Sequence, residues 1–187
     1  MPLPVAHAIL GASVVAAARP LGCVREDLRV WLLGAALGVA PDFDLFFSWV
    51  FNLGGMRHGR FTHSIIVAAA AGVLAAHLCG PFSVRNALVL SGAALSHGLL
   101  DVVTRKEWSG AALFWPFDAR MVRLGLFDYF EFFPHSGIGS VAAQFRRALE
   151  ISCYEVLIFG PVLLLVIWGR RKFAGAERRE PLVSPER

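Results

Sequence analysis

From Phe61 to Val84 the chain carries no Asp, Glu, Lys or Arg over 24 consecutive residues. A stretch of that length and character cannot supply a water-facing surface. It does match the roughly 20 predominantly apolar residues that a helix needs to cross the hydrocarbon of a bilayer. The pattern recurs along the chain. Residues 1–18 hold no formal charge, and neither does Asn86–Leu100. Val30–Met56 holds only Asp42 and Asp44, and Ile151–Gly169 holds only Glu155 before Arg170, Arg171 and Lys172. Charged residues make up 17% of the 187, against roughly 25% in an average soluble domain. A chain this short has too much surface for its volume to hide the apolar excess from water.

These segments predict an all-α fold, a polytopic membrane bundle of about five helices near residues 4–18, 29–52, 63–80, 86–104 and 151–169. Length and the Ala and Leu content carry the helical reading, because periodicity is silent where a segment is apolar all round. Residues 1–169 form one membrane-embedded domain. Within it, residues 105–149 mix Trp108, Phe114, Trp115, Phe117, Phe127, Tyr129, Phe130, Phe132 and Phe133 with Arg, Asp, Glu, Pro and Gly. That mixture suits either a rim at headgroup level or a loop with a small aromatic core of its own. The basic stretch 170–187 reads as a disordered tail. Residues 1–18 lack the basic n-region of a signal peptide and contain His7, so they read as a retained helix.

The net charge is +4, but the basic residues form no stripe interleaved with aromatics. Nucleic acid is not an expected partner, and the bilayer is. Cys23, Cys79 and Cys153 lack metal-knuckle spacing.

In so apolar a chain the polar residues are the informative ones, since intramembrane ionisable groups are costly and usually mark function. His97 and Asp101 stand at i and i+4 and share one helix face. A two-ligand clamp and a plain His–Asp hydrogen bond explain that pair equally well. His58 and His63 flank a Gly-containing turn, and Thr62 is placed to cap the helix that follows. Asp42 and Asp44 point about 200° apart on a regular helix. Pro41 must end or distort the helix for both to serve one site. Alternating helix direction brings His7, Asp42, Asp44, His58, His63, Asp101 and Glu155 to one end of the bundle, with His97 one turn deeper. His77 lies 14 residues from His63, roughly 21 Å along a helix, and cannot share its metal.

Several segments together resemble a known family. They are His7 in a first helix, Leu37-Gly38-Val39-Ala40-Pro41-Asp42-Phe43-Asp44, His58-Gly59-Arg60-Phe61-Thr62-His63-Ser64, Leu95-Ser96-His97-Gly98-Leu99-Leu100-Asp101, Trp115-Pro116-Phe117, and Glu155 through Pro161. In this order they resemble the YdjM-like family of membrane-bound proteins designated metal-dependent hydrolases, also called LexA-binding inner-membrane-associated hydrolases. The resemblance covers about residues 4–169. The family usually shows His-Arg-Gly where this chain has His58-Gly59-Arg60. The resemblance implies a multi-pass protein of the bacterial inner membrane with hydrolase chemistry. The LexA association in the family's name is not carried over. A more distant similarity links the His/Asp order to zinc-dependent phospholipase C.

The expected function is metal-dependent hydrolysis of a phosphoester or a lipid-linked substrate. The donors exceed the three or four that one zinc needs, so a two-metal site is expected. Zinc suits the mix of His and carboxylate, with manganese or iron as alternatives. Such ions generate hydroxide at neutral pH and stabilise a phosphoryl transition state. One metal is assigned to Asp42 or Asp44 with His63, His97 and Asp101. A second is assigned to His7 and Glu155, with Asp101 bridging. His58 and Arg60 are expected to bind or polarise the substrate. The alternatives are a transporter or ion carrier, against which clustering at one end counts, and a regulatory membrane protein with a structural metal site.

Overall fold

The computed structural model describes residues 4–18, 24–44, 50–51, 58–104, 110–127 and 140–177. Among the described residues, five α-helices have both ends defined: α1 (Pro4–Ala18), α2 (Val24–Val39), α3 (Ile65–Leu78), α4 (Val84–Val103) and α5 (Val141–Glu177). Short 3-10 turns occupy Ala40–Asp42 and Phe61–His63. Among the described residues there is no strand, only the isolated bridges Thr104–Phe127 and Ala111–Val122. The all-helical expectation holds, and the five helices fall where five apolar segments were read.

Local chemistry explains the boundaries. Pro4 opens α1, where its missing N–H costs nothing. Ser64 accepts from the Val67 N–H and Ser83 from the Asn86 N–H, capping α3 and α4. The α3 cap is therefore Ser64, and Thr62 serves elsewhere. Pro41 cannot continue an α-helix, and α2 ends at Val39, well before the expected residue 52. The last helix differs too. It begins at Val141, inside the segment read as loop, and runs through Arg170–Lys172 to Glu177, into the segment read as tail. Residues 178–187 lie outside the described residues.

α1 packs on α2, α4 and α5; α4 also packs on α3 and α2. The largest core cluster is built mostly of alanine: Ala68, Ala75, Ala76, Ala87, Ala93 and Ala94, with Val15, Leu37 and Leu90. Small side chains let helices approach closely, which is how helices associate in lipid. Contact is tightest between α1 and α2. A Cβ built on Gly11 would strike the Gly34 carbonyl, and one on Gly38 would strike the His7 carbonyl. Gly34 and Gly38 form a G-x-x-x-G pair on the contact face.

Among the described residues, two helices are long and apolar enough to cross a membrane by length and composition, Val84–Val103 and the Ala142–Phe173 portion of α5. Only 17% of the α5 window is buried by the rest of the chain, against 56% for α4. Leu157, Leu164, Leu165 and Trp168 lie exposed along α5. α1 and α3 are apolar but shorter.

Residues 110–127 clasp one end of the bundle. The Ala112 N–H donates to the Gly59 carbonyl (2.8 Å), the Ile65 N–H to Leu113 (3.0 Å), and the Leu124 N–H to Val102 (2.8 Å). Gly59 has φ +85°, and a Cβ there would meet Met121 Cε at 2.8 Å. Only glycine serves this turn readily. Phe114, Phe117, Leu124 and Leu126 point outward from the clasp, and Trp115 packs edge-on against Phe61.

Candidate metal centre

Four helix ends meet under the clasp. α1 brings His7 and the turn after α2 brings Asp42. The turn before α3 brings His63, and the last part of α4 brings His97 and Asp101. His7, His63, His97 and Asp101 are each almost wholly buried.

The hydrogen bonds around this set assign the imidazole protons. His97 Nδ1 lies 2.7 Å from the Gly38 carbonyl oxygen. A carbonyl only accepts, so Nδ1 carries the proton and Nε2 a lone pair. The Gly38 carbonyl belongs to the last turn of α2, where carbonyls lack helical partners. The Thr62 hydroxyl donates to Asp44 Oδ2 at 2.8 Å, and its oxygen accepts from His63 Nδ1–H at 2.9 Å. His63 Nε2 therefore also holds a lone pair. The two Nε2 atoms face each other at 2.9 Å. Such a pair is repulsive unless a proton or a cation lies between.

The carboxylates argue for a cation. Asp101 Oδ2 stands 3.3 Å from His63 Nε2 and 3.6 Å from His97 Nε2. Two donors on one tetrahedral zinc are separated by about 3.3 Å, given metal–ligand bonds of about 2.0–2.1 Å. The three atoms, 2.9–3.6 Å apart, could share one tetrahedral ion. Asp42 Oδ1 is 3.4 Å from His97 Nε2. The other Asp101 oxygen, Oδ1, faces His7 Nε2 at 3.7 Å. Among the described residues, Asp42 Oδ1, both Asp101 oxygens and both His7 nitrogens are buried without a hydrogen-bond partner. Leaving so many polar atoms unsatisfied is costly. One shared proton cannot serve them all, and divalent cations can. The donor set fits metal.

Three compact groups result: His63–His97–Asp101, His7–Asp42–His97 and Asp42–His58–His63. His97 has only one nitrogen available, so it serves one ion. Asp101 presents its two oxygens to different histidines, as a bridging carboxylate would. The His7 and His97 rings stack at 3.7 Å.

The remaining predicted residues take other places. Asp44 accepts from His58 Nδ1–H at 2.7 Å through one oxygen and from Thr62 through the other. Both oxygens are engaged, so Asp44 orients histidines from behind and Asp42 faces the donor set. Partners of this kind fix ring orientation in metal sites. His58 Nε2 lies 3.7 Å from Asp42 Oδ1. Arg60 is half-buried, and its carbonyl accepts from the His63 N–H at 3.2 Å. Glu155 is fully buried, but its Oε2 accepts from the Ala6 N–H at 3.0 Å, which caps the first turn of α1. Among the described residues it joins none of the three groups. His77 stacks on Phe82 and is far from the set. Two site members escaped the sequence reading. Thr62 was read only as a cap, and the Gly38 carbonyl is a backbone group that no side-chain motif shows.

A protein-family model described as YdjM inner membrane protein matches residues 1–174. No curated protein and no solved structure matches the chain. With the family model running from before α1 to residue 174, within α5, and covering every member of the His/Asp set, the chain belongs to the YdjM family of inner membrane proteins.

Proposed function

We propose that this protein is a multi-pass, metal-dependent hydrolase of the inner membrane that cleaves a phosphoester or a lipid-linked substrate. The observation that carries the reading is the division of Asp101 between two sets of histidines. His63 and His97 face one of its oxygens, and His7 faces the other. A bridging carboxylate between histidine donors is the usual ground plan of a two-metal hydrolytic site.

His63, His97 and Asp101 Oδ2 would hold one ion, and His7, Asp42 and Asp101 Oδ1 the second. Zinc suits these donors best, with manganese or iron as alternatives. Bound there, the metal supplies Lewis acidity and an acidified water at neutral pH. The protein's own residues do the rest. The Gly38 carbonyl and the Thr62 hydroxyl keep the Nδ1 protons of His97 and His63 in place, so each Nε2 stays a ligand. Asp44 holds His58 at the edge of the set, where its ring can hydrogen-bond a substrate oxygen. Arg60, two residues on, offers a cation to a phosphoryl group. The half-exposed Phe61 with the outward Phe114 and Phe117 forms an apolar rim beside the site, which favours a substrate presented from the bilayer.

Metal analysis of purified protein, followed by assay with bis-p-nitrophenyl phosphate and with phospholipid vesicles, tests the reading. Wild type should hold one to three divalent ions and hydrolyse at least one substrate, and Asp101→Asn should lose both properties. Hydrolysis that survives chelation and Asp101→Asn would refute it.

A further inference from the structure

At the end of the bundle away from the His/Asp set, α2, α3 and α4 enclose a cavity of about 390 Å³. That volume lies in the range of small-molecule sites. Ala76 and Leu90 form its buried floor, and the partly buried Val30, Leu33 and Val89 line its walls. Arg29 and Cys79 are exposed at its margin, and Asn86 contributes from the first turn of α4.

Three features at this end favour an anion. Arg29 makes no ion pair or hydrogen bond among the described residues. The first turn of α4 carries the positive end of a 20-residue helix dipole, with the Asn86 N–H already held by Ser83 Oγ at 3.1 Å. Basic residues also gather at this level. Arg85 lies roughly 24 Å along α4 from Asp101, where its Nη2 donates to the Ala18 carbonyl at 2.6 Å. Lys172 lies roughly 26 Å along α5 from Glu155, with Nζ 5.1 Å from the centre of the Trp168 ring. Trp beside Lys or Arg is the mark of a membrane interface, and Arg and Lys gather on the cytoplasmic side, where the lipids are anionic.

An apolar cavity with an unpaired guanidinium at its margin fits an amphiphile with a negative head. We propose that this cavity binds one anionic phospholipid of the surrounding leaflet, its phosphate against Arg29 and the first turn of α4, its acyl chain over Leu33, Ala76 and Leu90. The site is separate from the metal centre, so it stands whether or not the protein is a hydrolase.

Cys79 gives a direct readout. The full chain in neutral detergent is labelled with a maleimide, and modification of Cys79 is followed by peptide mass spectrometry. Phosphatidylglycerol, phosphatidylcholine of the same acyl chains, and inorganic phosphate are titrated in turn. Phosphatidylglycerol should slow Cys79 labelling about fivefold more than phosphatidylcholine, and phosphate should have no effect. Arg29→Gln, at an exposed position, should erase the difference between the two lipids. Native mass spectrometry of the unlabelled wild type should retain one phosphatidylglycerol in preference to phosphatidylcholine. Equal protection by both lipids, protection by phosphate alone, or an undiminished preference in Arg29→Gln overturns the proposal.

Discussion

Replacing Gly38 by alanine should damage the proposed metal centre without touching a proposed ligand. The new Cβ would strike the His7 carbonyl oxygen and lie 3.1 Å from the His7 carbonyl carbon and 3.3 Å from Gly11 Cα. Carbon atoms prefer about 3.5–4.0 Å, so α1 and α2 must part by roughly 1 Å. Overpacking of this kind costs about 1–3 kcal/mol. Glycine to alanine in a helix also gains up to about 1 kcal/mol in propensity, which hides part of the cost. Gly169→Ala isolates the propensity term, since nothing lies within 4 Å of a Cβ there. The stability difference between the two variants should therefore be about 1–3 kcal/mol, read by thermal unfolding in detergent. A second effect follows through His97. Its 2.7 Å bond to the Gly38 carbonyl would stretch beyond hydrogen-bonding range on a displacement of that size. Loss of such an orienting partner typically weakens metal binding about 10–100-fold, or about 1.4–2.7 kcal/mol. Competition against a fluorescent zinc chelator measures it. If Gly38→Ala matches Gly169→Ala in stability and binds metal within about twofold of wild type, the reasoning from the helix contact fails.

Other outcomes follow from the same geometry. His97→Ala and Asp101→Ala should each strip metal from the purified protein while His77→Ala retains it, as elemental analysis would show; equal content in all three would remove the assigned centre. Glu155→Ala should lower stability by about 1–3 kcal/mol, because it leaves the buried Ala6 N–H without its acceptor. Glu150→Gln should change little, since its contact with Arg146 is an exposed i,i+4 pair at 3.5 Å. Similar melting curves for these two variants would contradict the capping role. The protein should remain with the membrane fraction after carbonate washing, and release into the soluble fraction would defeat the bundle as a membrane structure.

The sequence made the five helices and the convergence of His7, Asp42, His63, His97 and Asp101 legible for one reason. In an apolar chain each charge-free run is bounded by charge, and each intruding polar residue stands out. The same apolarity hid the helix limits. α2 stops at Val39 and α5 starts at Val141, yet the hydropathy of the neighbouring residues marks neither boundary. Pro41 was the available signal for the first boundary, and it left open whether the helix ends or only bends there. The G-x-x-x-G spacing of Gly34 and Gly38, a signal of close helix contact, went unread. The choice of Asp42 over Asp44 as the residue facing the donors was not legible, because it depends on Thr62 and His58 occupying both Asp44 oxygens. Glu155 was expected to hold a second metal with His7. Its Oε2 accepts from the Ala6 N–H, 149 residues away, a tertiary contact that no local pattern shows.

The link between Glu155 and Ala6 also bears on biosynthesis. A chain made from its N-terminus inserts α1 long before α5 exists. All seven His and Asp residues of the donor set and its orienting carboxylate have been synthesised once Asp101 emerges. The first turn of α1, which carries His7, gains its carboxylate cap only when Glu155 follows. Gathering the ligands and clamping the helix that bears one of them are therefore separate events in time. A nascent chain halted between residues 104 and 150 would own the whole His/Asp set before the Glu155 carboxylate reaches the Ala6 N–H, and the last helix would close the assembly like a keystone set after the arch.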